Sequence, residues 1–280
     1  MQRVGVVGCG LMGAGITEVA ARSGLDVVVV ESSQAAADAG RDRLEKSLAR
    51  AESRGKIDSA AAVLERIRVE TDLDALADRQ LVVEAILEEE TAKVELFRSL
   101  DKIVAAEDAI LASNTSSIPI MKLGTVTQRP QQVIGIHFFN PVPVLQLVEL
   151  VPSLLTSQET TDRSRALAEE QLGKKTILCQ DRAGFVVNAL LIPFVLSAIR
   201  MLESGFATAE DIDRGFVLGA AHPQGPLALA DLIGLDTIQA IAQSLYQEFR
   251  ETQYAPPPLL QRMVDAGLLG RKTGRGFYTY

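Results

Sequence analysis

Short β-branched runs alternate with helical periodicities over the first 180 residues. Strand-like runs fall at RVGVVG (3–8), DVVVVE (26–31), IRVET (67–71), QLVVEAI (80–86), AILASN (109–114), QVIGIHFF (132–139), VLQLVELV (144–151) and KTILCQ (175–180). Between the early runs, apolar positions recur at helical spacing over about 11–23, 34–54, 90–105 and 118–123. Alternating β and α elements predict an α/β fold, a Rossmann-like doubly wound and mostly parallel sheet covered on both faces. Continuous apolar stretches such as Val27 to Val30 suit strands buried on both sides. After QDRAGFVVN (180–188) the strand-like runs stop. Helical patterns follow at about 185–204, 208–219, 226–249 and 257–266. The pattern predicts an α/β domain over 1–183 and an all-helical C-terminal domain over 184–280, divided near Asp181 to Gly184.

The loop after the first strand carries the first chemistry. Gly8, Cys9, Gly10, Leu11, Met12 and Gly13 spell G-x-G-x-x-G between a strand and a helical pattern, the context in which that motif binds dinucleotides. Gly8 permits the tight turn, Gly10 lets the backbone approach a pyrophosphate, and Gly13 allows close packing of helix on strand. The helix N-terminus then offers N–H groups and a positive dipole end to the phosphates. Glu31 closes the second strand, eighteen residues past Gly13, near the place expected for an acid that takes the ribose hydroxyls. A carboxylate there repels a 2′-phosphate, and Ser32, Ser33 and Gln34 offer no arginine to receive one. NAD is therefore favoured over NADP.

GIHFFNPVPVLQLVELV (135–151) holds His137, one of two histidines in the chain, and Glu149 in an otherwise uncharged run. A hydride-transfer enzyme acting on an alcohol needs a base, and histidine suits that task near neutral pH. His137 falls late in a strand, where the ligand sites of α/β sheets lie. Glu149 would hold its tautomer if Pro141 and Pro143 turn the chain so that the two strands lie side by side. A lone histidine in an apolar strand is often simply a core residue. Glu149 argues against that, because a buried carboxylate is costly unless paired and no Lys or Arg adjoins it. His222, in GAAHPQGP, lacks an acidic neighbour and reads as structural.

Composition narrows the class. The chain has 280 residues with 47% hydrophobic and 23% charged, enough for a sizeable core. A net charge of -8 with no long basic run argues against a nucleic-acid partner. Cys9 and Cys179 make no disulfide framework and no metal-ligand spacing, so a cytoplasmic, metal-free protein is expected. The N-terminus lacks a long apolar segment, and no run approaches the roughly 18 residues needed to span a bilayer, so no membrane association is expected. The helical pattern over 41–56 carries Arg41, Arg43, Lys46, Arg50, Arg54 and Lys56. It could seat an anionic phosphate, or be a solvated face interleaved with Asp42, Glu45 and Glu52.

The motifs GCGLMGAGI, VVEAI, ASNTSS, HFFNPVPV, LVELV, GFVVN and KTGRGFY occur in the order found in the 3-hydroxyacyl-CoA dehydrogenases. Over essentially its whole length the chain resembles that family, and most closely its short members, the 3-hydroxybutyryl-CoA dehydrogenases. The resemblance implies reversible oxidation of an (S)-3-hydroxyacyl-CoA to the 3-ketoacyl-CoA with NAD. It implies that His137 is the general base and Glu149 its partner, that Ser116 contacts the substrate near the nicotinamide, and that Asn188 positions the reacting group. Glu88, Lys93 and Lys272 match cofactor contacts, with Asn114 beside them, and Ser47 and Arg54 lie where the family contacts coenzyme A. Where the family usually has Asn-Arg after Gly-Phe, this chain has Asn188-Ala189, which bears on local packing. A homodimer through the helical domain is expected, both from the resemblance and from the apolar run ALLIPFVLSAI (189–199).

Two other readings remain at this point. β-Hydroxyacid dehydrogenases also join a Rossmann domain to helices, but use a lysine base on free acids, which HFFNP does not suit. A non-catalytic NAD-binding structural protein has no need of a His/Glu/Ser/Asn set.

Overall fold

A computed structural model describes residues 1–280, and the chain divides into two compact units, Met1–Asp181 and Arg182–Tyr280. The first unit is built on strands β1 (Arg3–Val7), β2 (Asp26–Val30), β3 (Ile67–Glu70), β4 (Leu81–Glu84), β5 (Ile110–Ser113), β6 (Val133–Phe138), β7 (Leu147–Pro152) and β8 (Lys175–Leu178). They form one sheet in the order β3-β2-β1-β4-β5-β6-β7-β8. All neighbours are parallel except β6 and β7, which run antiparallel. The sheet is therefore doubly wound and mostly parallel. Connections leave β1 to one side towards β2 and β3, then resume on the other side at β4. The crevice beyond the ends of β1 and β4 is the topological switch point, where such sheets bind ligands.

The helices of this unit are α1 (Leu11–Arg22), α2 (Gln34–Ser53), α3 (Ala60–Leu64), α4 (Glu90–Ile103), α5 (Ile120–Gly124) and α6 (Gln158–Ala166). Side chains start several of them: Ser33 caps α2, Ser59 caps α3, and Glu89 accepts the Thr91 and Ala92 N–H groups at α4. The buried faces of β1, β2, β4, β5 and β6 pack with Ala14, Ile16, Val19 and Ala20 of α1 and Leu44 and Leu48 of α2 in one core. Helix α6 has no counterpart in the hydrophobic pattern. Its sequence QETTDRSRA is almost wholly polar, and Ser157 caps it.

The second unit contains α7 (Val187–Glu203), α8 (Ala209–Gly219), α9 (Pro226–Ile233), α10 (Leu235–Phe249) and α11 (Pro258–Asp265) around its own core. The single helix expected over 226–249 is two. Gly234 separates them at φ 105°, a conformation that ends a right-handed helix. His222 lies against the rings of Phe194 and Phe216. No helix is long and apolar enough to cross a membrane.

Candidate active site

The glycine loop sits at the switch point with each glycine doing a different job. Gly8 has φ 92°, and a Cβ there would lie 2.7 Å from the Ala85 carbonyl oxygen just past β4. A Cβ on Gly13 would fall 1.9 Å from the Gly8 carbonyl oxygen, so α1 can begin this close to β1 only with glycine there. A Cβ on Gly10 would meet nothing within 4 Å, which leaves the backbone open to an approaching ligand. Helix α1 has no side-chain cap and no acid in its first turn. Its N–H groups and dipole are thus uncompensated by the protein, a fit to an anionic pyrophosphate.

Glu31, just past β2, accepts the Cys9 N–H with one carboxylate oxygen and the Ser32 N–H with the other at 3.2 Å. This fixes its carboxylate beside the loop, where it can still accept from ribose hydroxyls. Arg43 of α2 donates to the Cys9 carbonyl at 2.6 Å. The sequence alone did not connect that arginine with the loop. Cys9 is fully buried, and burial, then the nearby Glu31 charge, pushes its thiol up to about 11. Leu11 is exposed and Met12 half-buried.

His137 and Glu149 face each other directly across the antiparallel β6–β7 pair. The chain reverses in residues 139–146, which include a cis Asn140–Pro141 bond. Nδ1 of His137 lies 2.7 Å from Oε2 of Glu149, with His137 6% exposed and Glu149 0%. A carboxylate at Nδ1 selects the tautomer whose Nδ1–H donates to it, which puts the basic lone pair on Nε2. The Phe139 ring stands 4.6 Å from the imidazole. Asn114 supports this arrangement from just past β5: its side-chain oxygen accepts the N–H of Phe138, next to the histidine, at 2.9 Å.

Lys93 and Glu88 are drawn into a network that the sequence did not disclose. The Lys93 ammonium, 1% exposed, lies 2.9 Å from Glu84 and 2.8 Å from Glu88. Glu88 accepts from the Thr115 hydroxyl, the Ser116 N–H and the Ser117 hydroxyl. Burial raises Glu84 above the usual carboxylate range in spite of Lys93. Burial works against Glu88 too, but there the Lys93 charge and the loop donors win and hold its carboxyl low. Ser116 itself is partly exposed at the tip of that loop.

The Ser47 hydroxyl donates to Glu18, which also binds Arg22. Arg54 is exposed at the C-terminus of α2. Beside them runs a groove of about 640 Å³, lined by Arg22, Lys56, Arg66 and Lys174 against the single acid Asp58. Lys174 is buried, donates to the carbonyls of Val142 and Leu145, and is lowered below the usual lysine range by burial and then by Arg22. In the second unit, Asn188 is buried in the first turn of α7, and Lys272 is bound to Asp236.

A glycine loop at a switch point and a buried His–Glu pair at a strand end define a dinucleotide-binding oxidoreductase. The chain belongs to the 3-hydroxyacyl-CoA dehydrogenase family: residues 3–182 match its NAD-binding domain and residues 184–280 its C-terminal domain. A 3-hydroxybutyryl-CoA dehydrogenase of Mycobacterium tuberculosis is 56% identical, the match covering 100% of this chain and 99% of that one. The crystal structure of M. tuberculosis FadB2 superposes with a TM-score of 0.98 at 56% identity, covering 100% and 99% of the two chains. That of an (S)-3-hydroxybutyryl-CoA dehydrogenase from Ralstonia eutropha gives 0.93 at 47% identity, with the same coverage.

Proposed function

We propose that this protein catalyses reversible oxidation of an (S)-3-hydroxyacyl-CoA, 3-hydroxybutyryl-CoA above all, to the 3-ketoacyl-CoA with NAD. The observation that carries the mechanism is the 2.7 Å contact between His137 Nδ1 and Glu149 Oε2. The cofactor, when bound, supplies the hydride acceptor. Gly8, Gly10, Gly13 and Glu31 would hold its pyrophosphate and ribose. His137 takes the proton from the C3 hydroxyl through Nε2, and returns it in the reverse direction. Glu149 keeps the imidazole oriented and offsets the positive charge it gains. Ser116 holds the reacting oxygen in line with His137. Asn188 and Lys272 keep the substrate and cofactor roles that the resemblance implies.

The groove between Arg22, Lys56, Arg66 and Lys174 suits the phosphates at the nucleotide end of coenzyme A. Ser47 and Arg54 act near its border, Ser47 also bracing Arg22 through Glu18.

Reduction of acetoacetyl-CoA by NADH tests the catalytic assignment. His137→Gln and Glu149→Gln should each lower turnover by roughly 10²–10⁴-fold, the scale of general acid–base catalysis. Near-normal turnover in His137→Gln would remove the assignment. Asn188→Ala and Lys272→Ala in the same assay should raise KM for acetoacetyl-CoA and for NADH respectively.

A further inference from the structure

Three charges lie together where β4 ends and α4 begins, Glu84 and Lys93 buried and Glu88 partly exposed. Glu84 closes β4 with no exposed surface. Its Oε1 lies 2.9 Å from the Lys93 ammonium and accepts the Ile86 N–H at 2.8 Å, while its Oε2 accepts the Ser113 hydroxyl of β5 at 2.5 Å. Lys93 then reaches Oε2 of Glu88 at 2.8 Å. That leaves Oε1 of Glu88 for the loop, where it accepts the Ser116 N–H at 3.0 Å and the Ser117 hydroxyl at 3.1 Å, together with the Thr115 hydroxyl. Thr115 Oγ1 in turn accepts the N–H groups of Ser117 and Ile118. An unbroken series of hydrogen bonds, most of them charge-assisted, runs from the centre of the sheet to the loop that carries Ser116.

Stability alone explains this poorly. Buried ion pairs seldom stabilise more than well-packed apolar groups of the same size, because desolvation offsets their attraction. What such a network does supply is a fixed geometry. Glu88 is the partly exposed member, and without a partner its carboxylate could turn to solvent. Lys93 holds one of its oxygens, and Glu84 holds Lys93.

We propose that Glu84 is a positioning residue for the dehydrogenase reaction. Acting through Lys93 and Glu88, it sets the 115–117 loop so that Ser116 is in place before substrate arrives. This rests on the function proposed above. It also gives Lys93 a task distinct from touching the cofactor, since its ammonium is enclosed by the two carboxylates.

Glu84→Gln is the informative change. It keeps the shape and leaves Lys93 and Glu88 as a matched pair, whereas removing Lys93 would strand a buried carboxylate. With acetoacetyl-CoA and NADH, kcat should fall roughly ten- to a hundredfold, the scale of a small misplacement of a reacting group. In a Ser116→Ala background the same change should have almost no further effect, because the two residues act as one unit. A purely structural residue would lower stability and multiply with Ser116→Ala. Wild-type kcat in Glu84→Gln, or multiplying effects, overturns the proposal. Thr115→Val removes one of the loop donors to Glu88 and with it the acceptor of the Ser117 and Ile118 N–H groups, so it carries the same test if Glu84→Gln does not fold; Thr115→Ser should retain activity. Should the wild-type protein not reduce acetoacetyl-CoA, the proposed function fails separately. The series is then read from hydrogen exchange at the Ser116 and Ser117 amides, which Glu84→Gln should accelerate; unchanged exchange overturns it.

Discussion

Glu31 shows how one carboxylate can serve both loop and ligand. Its two oxygens take the N–H groups of Cys9 and Ser32, so the charge is fixed where a cofactor ribose must lie. A 2′-phosphate would meet that charge directly. Arg43, bound to the Cys9 carbonyl, already places a cation beside the loop. Glu31→Gln keeps an acceptor oxygen for the Cys9 N–H and removes the repulsion. The ratio of NADPH to NADH activity should then rise roughly tenfold, the effect of about 1.4 kcal/mol. An unchanged ratio of kcat/KM values would show that Glu31 does not set cofactor choice. The position of Glu31 was legible in sequence because the strand–loop–helix–strand spacing dictates it. Arg43 was not. Its approach depends on α2 packing against the loop at Gly40, where a Cβ would lie 2.6 Å from that of Cys9. The His137–Glu149 pairing was legible for a chemical reason, an apolar segment with a carboxylate and one group able to satisfy it. Lys93 was misleading in isolation, since nothing in its local sequence says that Glu84 and Glu88 enclose it.

At the scale of elements, all eight strands are visible as β-branched runs: the central ones are continuously apolar because they are covered on both faces, while the edge strands β3 and β8 keep polar residues on their open sides. The reversal of direction at β7 followed from the prolines between it and β6. Helix α6 has no signature in the hydrophobic pattern because it carries no apolar stripe, and the break between α9 and α10 has none because an isolated glycine such as Gly234 is tolerated within a helical pattern. The basic groove was hidden for a similar reason. Its cations come from α1, the α2–α3 turn, the approach to β3 and the approach to β8, so no single stretch of sequence reads as basic. The basic pattern on α2 marks the helix that carries Ser47 and Arg54, and the fold connects Ser47 through Glu18 to Arg22, and Arg22 to the Lys56 carbonyl. If these cations receive the phosphates of coenzyme A, Lys56→Gln and Arg66→Gln should each raise KM for acetoacetyl-CoA by about two- to fivefold, as expected for partly screened charge contacts. KM for NADH should stay constant, and the difference should shrink with the 3′-dephospho substrate or in high salt. Equal KM values for wild type and both variants would place the nucleotide end elsewhere.

The whole molecule leaves one matter that neither the sheet nor the helical core settles alone. The second unit has a closed core, with Ile192, Val195, Leu196 and Ile199 of α7 turned inward. Yet Leu190 is 73% exposed, Phe206 78% and Leu218 72%, with Leu232 and Met201 also open to solvent. Within the apolar run over 189–199 it is Leu190 that this unit leaves exposed, and the others lie on α7 beyond that run, on α8, on α9 and between α7 and α8. Surface leucines scattered singly are ordinary, but so many large apolar side chains left exposed on one small helical unit favour a partner that covers some of them. We propose that a second copy of the chain covers it, forming a closed symmetric pair, the commonest arrangement for soluble oligomers. Burying a leucine or phenylalanine side chain contributes roughly 1.5–3 kcal/mol, so charging two of them should weaken such a pair by orders of magnitude. Light scattering should give a dimer for the wild-type protein at micromolar concentration and a monomer for Leu190→Lys combined with Phe206→Glu. Circular dichroism should remain that of the folded chain, because both side chains lie outside the core. A wild-type monomer at that concentration would mean that these residues face solvent or another partner.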